Sequence, residues 1–414
     1  YPQYGSPEGL GETVPWLPDW GYWSAIGLQP GRRIAFGAGL YYVQDAGSML
    51  AIRLLAVQPG ELVCDLCASP GGKATAILEA LGHTGGLLVN ETIRSRLAPL
   101  NINLARHGAS RFIVTCMDPS ELAEILPGCF DAVLVDAPCT GQSLLGRGRQ
   151  RLSAFDPHHI VHCAARQRRI LAAAARLVRP GGRIVYSTCT FSWQENEAQV
   201  MQFIAEHQDF DIQRDEGLIT WQSPSPAPHG CYRLWPDVDR CAGAFAARLL
   251  RCRADVGAQS LQMSLPREAA KRRGRRDKLS LAWDKWGRWA AEVRIVPIGQ
   301  QGAAAMPADL PAVLRQLAEA GRIISAAQGA VRYGKRWQPA YALAMRRDGA
   351  FVPSERVQLD DEQAAAYLRG EPIATSVLGW AVATWRGYPL GWVHGTGRIG
   401  TNKLRRFARL PAIE

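Results

Sequence analysis

A chain of 414 residues is too long for one ordinary domain and predicts two or three. Its 47% hydrophobic content is ample for packed cores, yet no apolar run approaches the length that spans a membrane, so no membrane partner is expected. The net charge of +11 is unevenly placed: residues 1–255 hold 23 Lys and Arg against 24 Asp and Glu, and residues 256–414 hold 25 against 13. A near-neutral part joined to a strongly basic one predicts an enzyme body with an appendage that grips a polyanion, RNA or DNA. Ten cysteines with no secretory leader predict free thiols in a reducing, cytoplasmic setting. The chain starts at Tyr1 rather than Met, as a piece of a longer protein would.

Residues 1–40 are rich in Gly, Pro and aromatics without clear periodicity, and are set apart as an N-terminal extension. Residues 41–255 carry an α/β pattern. Strands are predicted at 62–66, 86–90, 112–116, 132–135 and 183–186, and helices at 73–82, 93–107, 160–178 and 194–207. Alternation of this kind predicts a doubly wound, Rossmann-like parallel sheet. Apolar stretches at 209–213 and 244–250 are expected to close it as an antiparallel pair. Residues 256–280 read as a basic linker, with six cations in the eight residues 271–278. Residues 281–414 mix strand-like runs, such as 380–384, with glycine turns and short helical pieces. They predict a small α+β or β-rich, basic RNA-binding domain.

The turn between the first strand and its helix reads Cys67-Ala68-Ser69-Pro70-Gly71-Gly72-Lys73. Two glycines let the backbone turn tightly and approach a ligand, and the helix N-terminus then faces an anionic group such as a carboxylate. Glu91 ends the second strand, where an acid can hold both ribose hydroxyls. Asp118 follows the third strand, where a carboxylate can meet an adenine amino group. GxxxxGK[ST] and GxGxxG are both absent, so S-adenosyl-L-methionine fits better than a nucleoside triphosphate or a nicotinamide dinucleotide. Cys64 and Cys67 form a lone CxxC. Without a second pair, and with Cys64 inside an apolar strand, no metal is expected.

Two further cysteines sit just past predicted strands: Cys139 in Asp136-Ala137-Pro138-Cys139-Thr140-Gly141, and Cys189 in Ser187-Thr188-Cys189-Thr190-Phe191. The carboxyl edge of a parallel sheet is where ligands bind, so two thiols there suggest covalent chemistry, one as nucleophile and one as helper. Cys116, Cys129, Cys163 and Cys252 are expected to be inert. His158 and His159 are placed on a surface turn after Pro157. For Arg233 and Trp235, packing and RNA contact are both open.

In order along the chain, Tyr41-Tyr42-Val43-Gln44-Asp45, the 67–73 loop, Asn90-Glu91, Asp118, the 136–141 and 187–191 motifs, Glu195-Asn196 and Arg233-Leu234-Trp235-Pro236 resemble the NOL/NOP/Sun family of RNA 5-methylcytosine methyltransferases. The resemblance covers roughly 40–250. It implies that residues 67–73, Glu91, Asp118 and Asp136 bind the cofactor, that Cys189 is the nucleophile, and that Cys139 helps release product. Asp136 is also a catalytic candidate, able to hydrogen-bond the polar edge of a cytosine. More weakly, Tyr367-Leu368-Arg369-Gly370-Glu371, Gly391-Trp392 and the basic tail resemble the C-terminal extension of the RsmF type, which methylates 16S rRNA. A monomer is expected. The rivals are a tRNA cytosine-5 methyltransferase, a DNA enzyme, and a ribosome-assembly factor whose RNA binding matters more than its methylation. The Thr-Cys motif argues against DNA, because the DNA enzymes attack with the Pro-Cys cysteine alone.

Overall fold

The computed structural model describes residues 10–253, 283–333 and 336–413. The expected linker at 256–280, with its basic run at 271–278, lies outside the described residues.

The five predicted parallel strands form β1 (Leu62–Asp65), β2 (Gly86–Asn90), β3 (Phe112–Thr115), β4 (Phe130–Asp136) and β5 (Val178–Thr188). Between them run α1 (Gly72–Leu81), α2 (Leu97–His107), α3 (Pro119–Ile125) and α4 (Pro157–Leu177). After β5 come α5 (Glu197–Glu206), β6 (Phe210–Gln213), β7 (Cys231–Leu234) and β8 (Ala244–Arg251). β8 lies antiparallel to both β5 and β6, so the two late apolar stretches close the sheet as the sequence predicts. The order β3-β2-β1-β4-β5-β8-β6 gives a Rossmann-like sheet whose strand order reverses between β1 and β4, the place where such sheets bind ligands at their carboxyl edge.

The two sheet faces are buried by separate apolar layers. Cys64, Leu88, Val133 and Ile184 pack on one, and Val63, Leu87, Leu134 and Val185 on the other. Successive residues of each strand thus face opposite layers, as a sheet covered on both sides requires. Cys64 belongs to this core.

Strand pairing crosses the expected boundary at 280/281. Ser325–Ala326, here β9, pairs antiparallel with β3, and Met306, Leu310, Leu314 and Leu317 join the core of the sheet. A second sheet of four antiparallel strands spans 293–339. Beyond it, residues 356–402 form a five-stranded sheet around Tyr367, Leu390 and Val393. The 281–414 region is therefore mixed α and β, but its first part packs as an extension of the catalytic sheet.

The N-terminal extension has structure of its own. A hairpin pairs Leu10–Thr13 with Tyr22–Ser24, and the buried Trp16 donates its indole N–H to Ala46 O at 2.9 Å. Gly37 lies against the C-terminal unit, where an added Cβ would meet Leu368 at 2.6 Å. Among the described residues, no helix is long and apolar enough to cross a membrane.

Candidate active site

The sheet register brings the two cysteine motifs together. Asp136, the last residue of β4, pairs with Ser187 on β5, and the next amide, Ala137 N–H, donates to Ser187 O at 2.8 Å. The chain then leaves both strands side by side, and Cys139 and Cys189 meet with 3.4 Å between their sulfurs. One thiol hydrogen-bonds the other. This bond lowers the pKa of Cys189 and raises that of Cys139 well above an ordinary thiol. Burial and the Asp136 carboxylate oppose the lowering at Cys189, whereas Lys73 and the Ser143 hydroxyl favour it. The arrangement favours a thiolate at Cys189 and a neutral thiol at Cys139.

Asp136 stands beside the pair. It accepts from Lys73 Nζ at 2.7 Å and from Ser187 Oγ at 2.8 Å. Lys73 therefore links the 67–73 loop to both cysteine motifs, a reach its position as a loop residue did not foretell.

Behind the thiols lies a buried polar network. Glu195 accepts from Thr140 N at 2.9 Å, Thr140 Oγ1 at 2.5 Å and Gln167 Nε2 at 2.9 Å. Asn196 accepts from Thr188 Oγ1 at 2.5 Å and donates to Thr190 O at 2.9 Å. Gln142 donates to Ala154 O at 3.1 Å and accepts from Phe191 N at 3.0 Å. Each motif is thus tied to the other by buried side chains whose polar atoms, apart from Gln167 Oε1, are hydrogen-bonded, which fixes the sulfur positions. Glu195 and Asn196 entered the sequence analysis only as matching residues. Gln142, Ser143 and Gln167 carried no signal there.

The expected cofactor residues gather on the same edge. Asn90 is fully buried and ties three loops together, donating to Leu66 O and Met117 O and accepting from Thr115 Oγ1 and Met117 N. Gly71 takes φ +108° at the start of α1, where no side chain caps the helix. A Cβ on Gly72 would sit 2.7 Å from Gln44 Oε1 and from the Tyr42 ring, so the 41–45 motif backs directly onto the loop. Ser69 Oγ donates to Arg96 O, and Arg96 donates to Ser69 O, pinning the turn.

Glu91 is buried. Its Oε1 accepts from Ile93 N at 2.9 Å, while Oε2 lies 3.3 Å from Arg96 without hydrogen-bond geometry. Asp65, absent from the expected site residues, is fully buried at the end of β1, and neither carboxyl oxygen makes a well-formed hydrogen bond. Burial and the nearby Asp136 push its pKa up to about 7, opposed by Lys73 and the Cys67 amide. Its place before the 67–73 loop was the available signal. An orphaned acid, a second under-satisfied acid, and an uncapped helix start with no room for a Cβ beside it fit a cationic, hydroxyl- and carboxylate-bearing ligand such as S-adenosylmethionine.

Asp118 is more exposed. It caps α3 by accepting from Ser120 N at 2.9 Å and lies 3.5 Å from Arg169. Arg233 is drawn inward, ion-paired with the buried Glu197, so packing accounts for it. Trp235 is 39% exposed and stacks on Phe191, two residues after Cys189, with ring centroids 5.3 Å apart. His158 and His159 occupy the first turn of α4 rather than a surface turn. Pro157 starts this helix and Asp156 caps it, and both histidines are exposed. In the C-terminal unit, Lys403 Nζ lies 5.9 Å from the Trp380 ring centroid, an aromatic and cationic pairing suited to nucleic acid.

Residues 52–250 match the family model described as 16S rRNA methyltransferase RsmB/F, and residues 354–410 match the methyltransferase RsmF PUA domain. The chain is 30% identical over 425 residues to the ribosomal RNA small subunit methyltransferase F of Klebsiella pneumoniae (strain 342), covering 96% of this chain and 83% of that one. The protein of the same name from Serratia proteamaculans (strain 568) is 28% identical, with 96% and 85% covered. Among solved structures, NSun6 from Pyrococcus horikoshii with SFG is 28% identical, with a TM-score of 0.50 over 55% of this chain and 57% of that one. A methyltransferase homolog protein from Pyrococcus horikoshii is 27% identical, with a TM-score of 0.50 over 59% and 79%.

Proposed function

The chain belongs to the RsmB/F family of 16S rRNA methyltransferases, and from that premise we propose that it methylates carbon 5 of a cytosine in small-subunit ribosomal RNA, with Cys189 as nucleophile and Cys139 assisting release. S-adenosylmethionine is the methyl donor, and when bound it supplies an electrophilic methyl group. The 67–73 loop, Glu91 and Asp65 would hold it, with Asp118 at the more exposed end.

Carbon 5 of cytosine is a poor nucleophile. Addition of the Cys189 thiolate to ring carbon 6 forms an S–C bond and leaves carbon 5 enamine-like, able to take a methyl group. Asp136, held by Lys73 and Ser187, would hydrogen-bond the polar edge of the ring and orient it. After methylation the proton on carbon 5 passes to water or another base at the site, so that the electron pair of that C–H bond rebuilds the ring double bond and the S–C bond breaks, returning the thiolate to Cys189. Cys139, adjacent to the sulfur that departs, assists this step. The target base must stand out of its stack to be reached.

The observation that carries this reading is the 3.4 Å approach of two thiols at the sheet edge. A single-thiol DNA mechanism gives no reason for the second sulfur. A purely binding role in ribosome assembly gives none for either. Transfer of labelled methyl groups to small-subunit rRNA, tRNA and DNA, followed by nucleoside analysis, separates the readings. Label in 5-methylcytidine from rRNA supports the proposal; label confined to tRNA, to DNA or to another nucleoside overturns it.

A further inference from the structure

We propose that residues 144–155, between the Pro-Cys motif and α4, form the rim that grips the RNA strand. Arg149 and Arg151 would neutralise phosphates flanking the target cytosine, and Leu152 would wedge into the stack beside it. This rests on RNA being the substrate.

The segment is tied to the catalytic motifs along its length. Ser143 N–H donates to Cys189 O at 3.2 Å, and Gln150 Nε2 donates to Thr140 O at 2.6 Å. Gln142 clamps Ala154 O to the amide of Phe191. Ala154 is fully buried, so the short 3-10 turn Leu152–Phe155 has an inner anchor.

What the rim presents outward is cationic and apolar. Arg147 pairs with Asp45, but Arg149 and Arg151 are exposed and have no ion pair among the described residues. Leu152 is 76% exposed and Phe155 47%. The strip continues onto α4 through the exposed His158, His159, His162 and Arg166. Unpaired guanidinium groups suit phosphates, and an enzyme that extrudes a base gains from an apolar side chain filling the gap. A large aliphatic group exposed to water on a turn anchored through Ala154 and Gln142 to the Cys189 motif has that use.

The test employs two RNAs with the same target cytosine, paired in one and unpaired in the other. Steady-state methylation gives KM and kcat, and calorimetry gives cofactor affinity as a check on folding. Arg149→Gln with Arg151→Gln should raise the RNA KM on both substrates. It should also flatten the slope of log KM against log salt by about 1.4, the share of two phosphates on a single strand. Arg149→Lys with Arg151→Lys, which keeps both charges, should retain the wild-type slope. Leu152→Ala should slow the paired substrate about tenfold or more while sparing the unpaired one. A wild-type KM and slope in the double Gln variant, or equal effects of Leu152→Ala on both RNAs, would overturn the inference. Wild-type protein that methylates neither RNA would instead sink the RNA reading, and this inference with it.

Discussion

Glu195→Ala tests whether the buried network holds the two thiols in place. Glu195 is fully buried and accepts four hydrogen bonds, from Thr140 N, Thr140 Oγ1, Gln167 Nε2 and, at 3.4 Å, Thr190 Oγ1. Truncation leaves the Thr140 amide without an acceptor, at about 1–3 kcal/mol. Gln167 keeps its bond to Pro138 O, and the Thr140 hydroxyl keeps Thr190 at 2.8 Å, so neither is wholly stranded. The expected destabilisation is about 3 kcal/mol, a large part of the stability of an ordinary domain. Because Thr140 adjoins Cys139 and Thr190 adjoins Cys189, methyl transfer should fall further than stability alone explains. Urea unfolding gives the first quantity, and single-turnover transfer at a temperature where the variant is folded gives the second. Glu195→Gln keeps one acceptor oxygen and should lie between wild type and Glu195→Ala in both. An Ala variant with wild-type unfolding midpoint and wild-type transfer would refute the reasoning.

Glu91→Ala should raise the Kd for S-adenosylmethionine about 30-fold or more in calorimetry, the loss of two hydrogen bonds to a strand-end acid, and an unchanged Kd would remove Glu91 from the site. Alkylation of Cys189 should reach half its maximal rate at a pH below that of an ordinary thiol, because the Cys139 hydrogen bond and Lys73 lower its pKa. Lys73→Met should move that midpoint upward, and an unmoved midpoint would contradict the role of Lys73. Asp65 has its pKa raised from 3.8 to about 7, so between those values the folded state binds more protons than the unfolded one. Without cofactor, stability should therefore fall as pH rises through that window, by up to about 4 kcal/mol. Asp65→Asn should abolish the fall; an identical pH profile in urea unfolding would show that Asp65 does not titrate there.

The parallel sheet was legible in the sequence because each strand is a short apolar run between glycine turns and helical periodicity. The gathering of the 67–73 loop and Glu91 on one sheet edge was legible because Gly71, Gly72 and a strand-end acid mark a turn and an edge in any parallel sheet. The thiol pair was legible for the same reason: each cysteine follows a strand in a recognisable motif. The pairing of Ser325–Ala326 with β3 was not, because two residues carry no period and their partner lies over 200 residues away. Gln142, Ser143 and Gln167 were also invisible: a buried amide or hydroxyl looks like a surface residue until its partners are known. His158 and His159 were misplaced because Pro157 signals a turn and a helix start equally well. Asp156, four residues before Ile160, was the unused capping signal.

The central claim is that Cys189 attacks and Cys139 releases, and one denaturing gel with labelled RNA tests it most directly. Cys139→Ala should still attack and methylate, then stall as a covalent protein–RNA adduct that migrates as a shifted band, whereas Cys189→Ala should form no adduct and transfer no methyl group. A shifted band for Cys189→Ala and none for Cys139→Ala would assign the attack to the Pro-Cys motif, and near-normal turnover without an adduct in both variants would contradict covalent catalysis altogether.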